Sequence, residues 1–126
     1  MENLILEGTK YTPDIKLDAD AGMVSMVGKS YPENTFEFYQ PIMDWMEEYF
    51  AKNAKDKTTV NMEIIYFNSS SSKLFFDFFD VLDEAKAKHS IEINWIYDKE
   101  NESALEAGED FIEDFENLTI NMVEKI

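Results

Sequence analysis

The stretch "TTVNMEIIYFNSSSSKLFFDFFDVLDEAKAKHSIEINWIYD", Thr58 to Asp98, decides the architecture. Thr58–Phe67 is rich in β-branched and aromatic residues and reads as a strand. From Lys73 the period changes, and Leu74, Phe75, Phe78, Phe79, Val81 and Leu82 mark a helix with its apolar side toward a core. "SIEINWIYD" then alternates, with Ile91, Ile93, Trp95 and Tyr97 on one face. A strand-helix-strand unit pairs its two strands in parallel through a crossover. The fold class is therefore α/β.

Outward from this unit, Asn3–Glu7 reads as a short strand, and Ile15 and Leu17 alternate ahead of "DADAG", a turn that leads into a return strand through Met23, Val24, Met26 and Val27. "SYPENTFEFYQPIMDWMEEYFAKNAK" opens a helix, with Asn34 as N-cap and Glu37 three residues later in a capping-box arrangement. Phe36, Tyr39, Met43, Met46 and Phe50 keep helical spacing, widened by Ile42, Trp45 and Tyr49. Pro41 interrupts it, so the helix either bends there or begins its regular part there. A third, acidic helix follows a cap near Asn101 and packs through Leu105, Phe111, Ile112 or Phe115; "LTINMV" adds a last strand or a packed tail. The expected architecture is a mixed sheet with an N-terminal hairpin, the crossover unit and about three helices. At 126 residues this is one domain, residues 1–126.

Composition narrows the function. Hydrophobic residues make up 44%, ample for a packed interior. The net charge of −16 repels nucleic acid and anionic lipid, which bind through Lys and Arg. No cysteine is present, which removes disulfides, thiolate metal sites and a Cys nucleophile. The N-terminus shows no secretory signal and no apolar run nears the roughly 20 residues that span a bilayer, so a cytoplasmic protein without membrane contact is expected.

Candidate chemistry is sparse. "DADAG" places Asp18 and Asp20 at the first two ligand positions of a calcium loop, but the fifth position is Gly22, the sixth Met23 and the twelfth Lys29 instead of Glu. A hairpin turn explains it better. The lone His89 stands at the end of the second helix, where a cation suits the dipole. The carboxylates of "EAGEDFIEDFE" read as a solvated helix face. No cofactor or metal is expected, and a small acidic metal-binding protein or enzyme built on these carboxylates is the alternative class.

The run Ser69–Ser72 has neither a Gly-Lys-Ser/Thr pattern nor a G-x-S-x-G elbow, so it is neither a P-loop nor a nucleophile elbow. Two compatible readings are open: a cap on the second helix, and a phosphate position where free amides and the helix dipole favour an anion and Lys73 adds a cation. The helix behind it, "LFFDFF", holds more large apolar residues than one stripe needs. Part of it, Phe75 or Phe76, is expected to face a partner, unless all of it is core.

"SYPENTFEFYQPIMDW", "YFNSSSSKLFFDFFDVLDEA" and "WIYDKENES" together resemble the SiaC-type regulatory phosphoproteins, over nearly the whole chain. The resemblance implies a non-enzymatic switch protein with a sandwich similar to anti-sigma-factor antagonists of the STAS type. It implies three partners: a serine/threonine kinase, a PP2C-like phosphatase, and an effector that the unphosphorylated form binds and activates. In the best-known system that effector is a diguanylate cyclase, whose cyclic di-GMP promotes biofilm formation. The family's phosphorylated Thr follows an Asn, which places the mark on Ser69 after Asn68. Here the acceptor is Ser, and Ser72 stands where the family carries an aliphatic residue, so Ser70 and Ser71 are the alternatives.

Overall fold

The structure is a computed structural model and describes residues 1–125. Its strands are β1 (Leu4–Leu6), β2 (Asp14–Asp18), β3 (Met23–Ser30), β4 (Lys57–Phe67), β5 (Ser90–Asp98) and β6 (Ile120–Lys125). Its helices are α1 (Thr35–Glu48), α2 (Ser69–Ala85) and α3 (Glu102–Asp114). The six strands form one sheet in sequence order. β1, β2 and β3 pair antiparallel, and β3 to β6 run parallel. The crossover unit has the expected pairing, with Val60 opposite Ile93 and Met62 opposite Trp95. The C-terminal segment is a strand, parallel to β5.

Three crossovers, β3-α1-β4, β4-α2-β5 and β5-α3-β6, each advance by one strand in the same direction. Such connections are right-handed, so all three helices land on one face of the sheet. The core lies between: Ile15, Leu17, Val24, Met26, Val60, Met62, Ile64, Ile93 and Trp95 point inward and are buried. The alternate residues point to the other face, which no element covers among the described residues. There an amide row crosses three strands, Asn94 Nδ2 donating to Asn61 Oδ1 at 2.8 Å and Asn121 Nδ2 to Asn94 Oδ1 at 3.1 Å. A parallel sheet is usually covered on both faces. This one is covered on one.

Several expectations change. α1 starts at Thr35 and runs through Pro41, which is exposed, so water can serve the Glu37 carbonyl that the missing N–H leaves free. A π-helical turn, Tyr49–Asn53, follows α1. Tyr49 Oη there bonds Thr58 Oγ1 at 2.9 Å, and the His89 Nε2 meets the Phe50 carbonyl at 3.1 Å. A carbonyl accepts only, so Nε2 carries a proton. His89 thus lies beyond the end of α2, where its backbone N–H donates to the Ala85 carbonyl at 3.0 Å while its ring tethers the π-helical turn. Neither Phe75 nor Phe76 faces outward. Phe75 is 1% exposed, and Phe76 packs against Phe111 and Phe115 with ring centroids 5.1 and 6.0 Å apart. The surplus of aromatics is spent on packing α2 against both the sheet and α3. On α3, Phe111 is buried and Ile112 is exposed.

Candidate functional site

The serine run is not a loop. One residue, Asn68, separates β4 from α2, and the four serines are the first turn of the helix. Asn68 is the N-cap, its Oδ1 accepting the Ser71 N–H at 2.9 Å. Its own N–H donates to the Ser30 carbonyl at 3.1 Å, which fixes the start of α2 to the end of β3.

The helical period then sorts four similar serines into different roles. Ser71 turns inward and is fully buried. Its hydroxyl donates to the Ser30 carbonyl at 2.9 Å and lies 2.7 Å from the Ser30 Oγ, which lies 2.5 Å from the Tyr39 Oη. Each hydroxyl has one proton. The Ser71 proton goes to the carbonyl, so Ser30 donates to Ser71 and Tyr39 donates to Ser30. This one-way chain joins β3, α1 and α2 beneath the first turn. Ser71 is therefore inaccessible to a modifying enzyme in this fold. Ser69 and Ser70 are exposed, Ser72 is half-buried, and Lys73 is exposed one turn from Ser69 on the same helix face.

Burial of the Tyr39 phenol pushes its pKa up from 10.0 to about 12, although the Ser30 hydrogen bond works in the opposite direction. The neutral phenol that donates to Ser30 is thus held through the ordinary pH range. Its contribution to stability is complete below pH 10 and is lost as pH rises toward about 12, on the order of 3 kcal/mol at most. Alkaline titration of thermal stability should show this loss in the wild type and a smaller one in Tyr39→Phe. The serines offer a second check. Ser71→Ala strands the Ser30 hydroxyl and should cost about 1–3 kcal/mol in denaturant unfolding. Ser69→Ala and Ser70→Ala should stay within about 0.5 kcal/mol of wild type.

The "YPEN" segment, Tyr31–Asn34, frames the same end of the sheet. Pro32 is buried, and Asn34 caps α1, with Oδ1 accepting the Glu37 N–H at 3.0 Å and Nδ2 donating to Glu37 Oε2 at 3.2 Å. Tyr31 lies between Tyr11 and Tyr66, edge to face, with ring centroids 5.3 and 5.6 Å away. Sequence reasoning gave no role to Ser30, Tyr31 and Tyr66, and read Tyr39 only as part of the apolar stripe of α1. The signal for the tyrosines was a break in β4: Ile64 and Phe67 both turn inward, which alternation forbids unless a residue is added between them.

The other candidates are not brought here. Asp18 and Asp20 sit in the β2–β3 turn, where Asp18 Oδ1 accepts the Ala21 N–H at 3.0 Å. The carboxylates of α3 lie on the helix that packs on β4, β5 and β6, and whose N-cap Asn101 donates through Nδ2 to the Ile65 carbonyl at 3.0 Å. Among the described residues no group of three or more His, Asp or Glu is placed to hold a metal ion.

The chain is an α/β protein with a one-sided mixed sheet, and its accessible serines begin a helix directly after a strand. Residues 6–125 match the family described as SiaC family regulatory phosphoprotein, and the chain belongs to that family. It is a regulatory protein and not an enzyme. The chain is similar to apo-SiaC of Pseudomonas aeruginosa, with 34% identity, TM-score 0.90 and coverage of 98% of this chain and 99% of that one. It is equally similar to a crystal structure of the diguanylate cyclase SiaD in complex with its activator SiaC from that organism: 34% identity, TM-score 0.90, coverage 97% and 99%. An uncharacterized protein of Pseudomonas aeruginosa strain UCBPP-PA14 is 37% identical over 115 residues, 90% of each chain.

Proposed function

We propose that this chain is a phosphorylation-controlled activator. Unmodified, it binds and activates a diguanylate cyclase; a serine/threonine kinase phosphorylates Ser69 and shuts the complex off, and a PP2C-like phosphatase restores it. The setting is cyclic di-GMP control of biofilm formation in the cytoplasm, without nucleic acid, membrane or cofactor. Among the described residues no helix is long and apolar enough to cross a membrane, in keeping with that setting. The observation that carries the reading is the sorting of the serines. Ser69, which follows Asn68, is exposed, while Ser71 is committed to the buried hydroxyl chain.

A phosphate at Ser69 adds about −1.5 to −2 charge and three strong acceptors. It would sit at the positive end of the α2 dipole, with Lys73 one turn away, so the fold tolerates it. A partner surface laid over it has no such compensation. Phosphopeptide mapping after incubation with the kinase and Mg-ATP tests the site. The mark is expected on Ser69 and lost in Ser69→Ala. A mark on Ser70 would shift the register and keep the mechanism; no incorporation at the serine run would remove the switch.

A further inference from the structure

Four serines in a row leave the start of α2 ambiguous on local grounds. Serine caps a helix about as well as asparagine, so Asn68, Ser69 and Ser70 could each accept the amide three residues on, from Ser71, Ser72 or Lys73. One of these starts is formed, with Asn68 Oδ1 accepting the Ser71 N–H at 2.9 Å. The choice matters for the modification, because a capping hydroxyl is occupied. With Asn68 as cap, Ser69 is the first residue of the helix, exposed, and its hydroxyl has no capping duty. With Ser69 as cap, its Oγ would accept the Ser72 N–H, and Ser70 would become the first residue of the helix.

What separates the starts lies beneath the helix. The Ser30 carbonyl at the end of β3 accepts twice, from the Asn68 N–H at 3.1 Å and from the Ser71 hydroxyl at 2.9 Å. A carbonyl oxygen has two lone pairs, and both are used here. Two bonds to one oxygen hold residues 68 and 71 close together, as helical backbone between them requires. A residue in extended backbone advances the chain by roughly 3.3 Å against 1.5 Å in a helix. With Ser69 extended as the cap, the two groups would no longer meet at that oxygen. The Ser71 Oγ also lies 2.7 Å from the Ser30 Oγ, which lies 2.5 Å from the Tyr39 Oη. Ser30 and Ser71 are fully buried and Tyr39 is 2% exposed, so drawing Ser71 away would leave hydroxyls unpaired where water does not reach.

Building on the function proposed above, we infer that Ser71, Ser30 and Tyr39 are positioning residues for the modification. They hold the start of α2 at Asn68, and so decide that Ser69 and not Ser70 presents a free hydroxyl to the kinase. All three act through the backbone at residues 68–71, from below the surface that the kinase meets. Ser71 makes the direct bond to the Ser30 carbonyl. Tyr39, donating from α1, orients the Ser30 hydroxyl so that its proton goes to Ser71. Without this anchor the same four serines would offer the kinase two acceptors, one for each start.

The test is quantitative phosphopeptide mapping of wild type, Ser71→Ala, Tyr39→Phe and Leu82→Ala after incubation with the serine/threonine kinase of the same organism and Mg-ATP. The reaction is run at a temperature where every variant used is folded. Wild type should carry the mark on Ser69. The ratio of Ser70 to Ser69 phosphate should rise roughly tenfold in Ser71→Ala, the effect of one hydrogen bond, and by less in Tyr39→Phe. Leu82→Ala, at a buried position near the other end of α2, destabilises the helix without touching the hydroxyl chain and should keep the wild-type ratio. If Ser71→Ala does not fold, Tyr39→Phe carries the decision, since it keeps the buried ring and removes one hydroxyl. A wild-type ratio in both chain variants, or an equal rise in Leu82→Ala, would overturn the positioning role and leave the proposed function standing. A wild-type mark on Ser70 would overturn it as well. A wild-type chain that takes no phosphate at the serine run would remove that function and this role with it.

Discussion

Phe111→Ala is expected to cost the fold about 3–5 kcal/mol, the range for a buried Phe cut to alanine. The buried residues of α3 are Ala104, Gly108 and Phe111, so Phe111 alone supplies large apolar area on that helix. Its ring packs against Phe79, Phe76, Trp95 and Phe67, at centroid distances of 4.7, 5.1, 5.3 and 6.5 Å. Gly108 allows this approach, since a Cβ there would stand 2.6 Å from Trp95 Cδ1. A domain of this size has roughly 5–15 kcal/mol in total, so Phe111→Ala should lower the melting temperature by roughly 10–25 °C in calorimetry. A loss under about 1 kcal/mol would mean that α3 is not held through this ring.

The second large effect is on binding. Phosphorylation of Ser69 should weaken the cyclase complex by roughly a hundredfold or more, because an anion dried without a partner costs several kcal/mol and each ~1.4 kcal/mol is tenfold. Ser69→Asp should weaken it less, since a carboxylate carries less charge and fewer acceptors. Ser69→Ala should bind as wild type. All three forms should melt close to the unmodified protein, because the exposed hydroxyl takes no part in the chain from Tyr39 to Ser71. Tight binding by Ser69→Asp together with loss in Ser69→Ala would reverse the direction of the switch.

The parts of this fold that sequence reveals are those written as periodicity. Val60, Met62, Ile93 and Trp95 alternate because one side of β4 and β5 is always core, and Asn34 and Asn101 each stand one residue before a helix whose first amides need an acceptor, whereas the cap expected of Ser69–Ser72 is supplied by Asn68. What stayed hidden depends on which way a residue turns in three dimensions. A row of four serines looks uniform, but the first helical turn sends only Ser71 under the Ser30 carbonyl. "LFFDFF" looked too apolar for one buried stripe, and α3 supplies the second surface that buries it. The cluster of Tyr11, Tyr31 and Tyr66 is assembled from three separate segments, so no local pattern announces it.

The central claim is that modification at one serine sets the output of a diguanylate cyclase. It is tested most directly by following cyclic di-GMP synthesis by the cyclase of the same organism. The cyclase is combined with the unmodified chain, with the kinase-treated chain, and with the kinase-treated chain after exposure to the PP2C-like phosphatase. Stimulated synthesis is expected in the first case, the basal rate in the second, and recovery in the third, with Ser69→Ala stimulating regardless of the kinase. Equal stimulation by the unmodified and phosphorylated chains, or stimulation by the phosphorylated chain alone, would contradict the account.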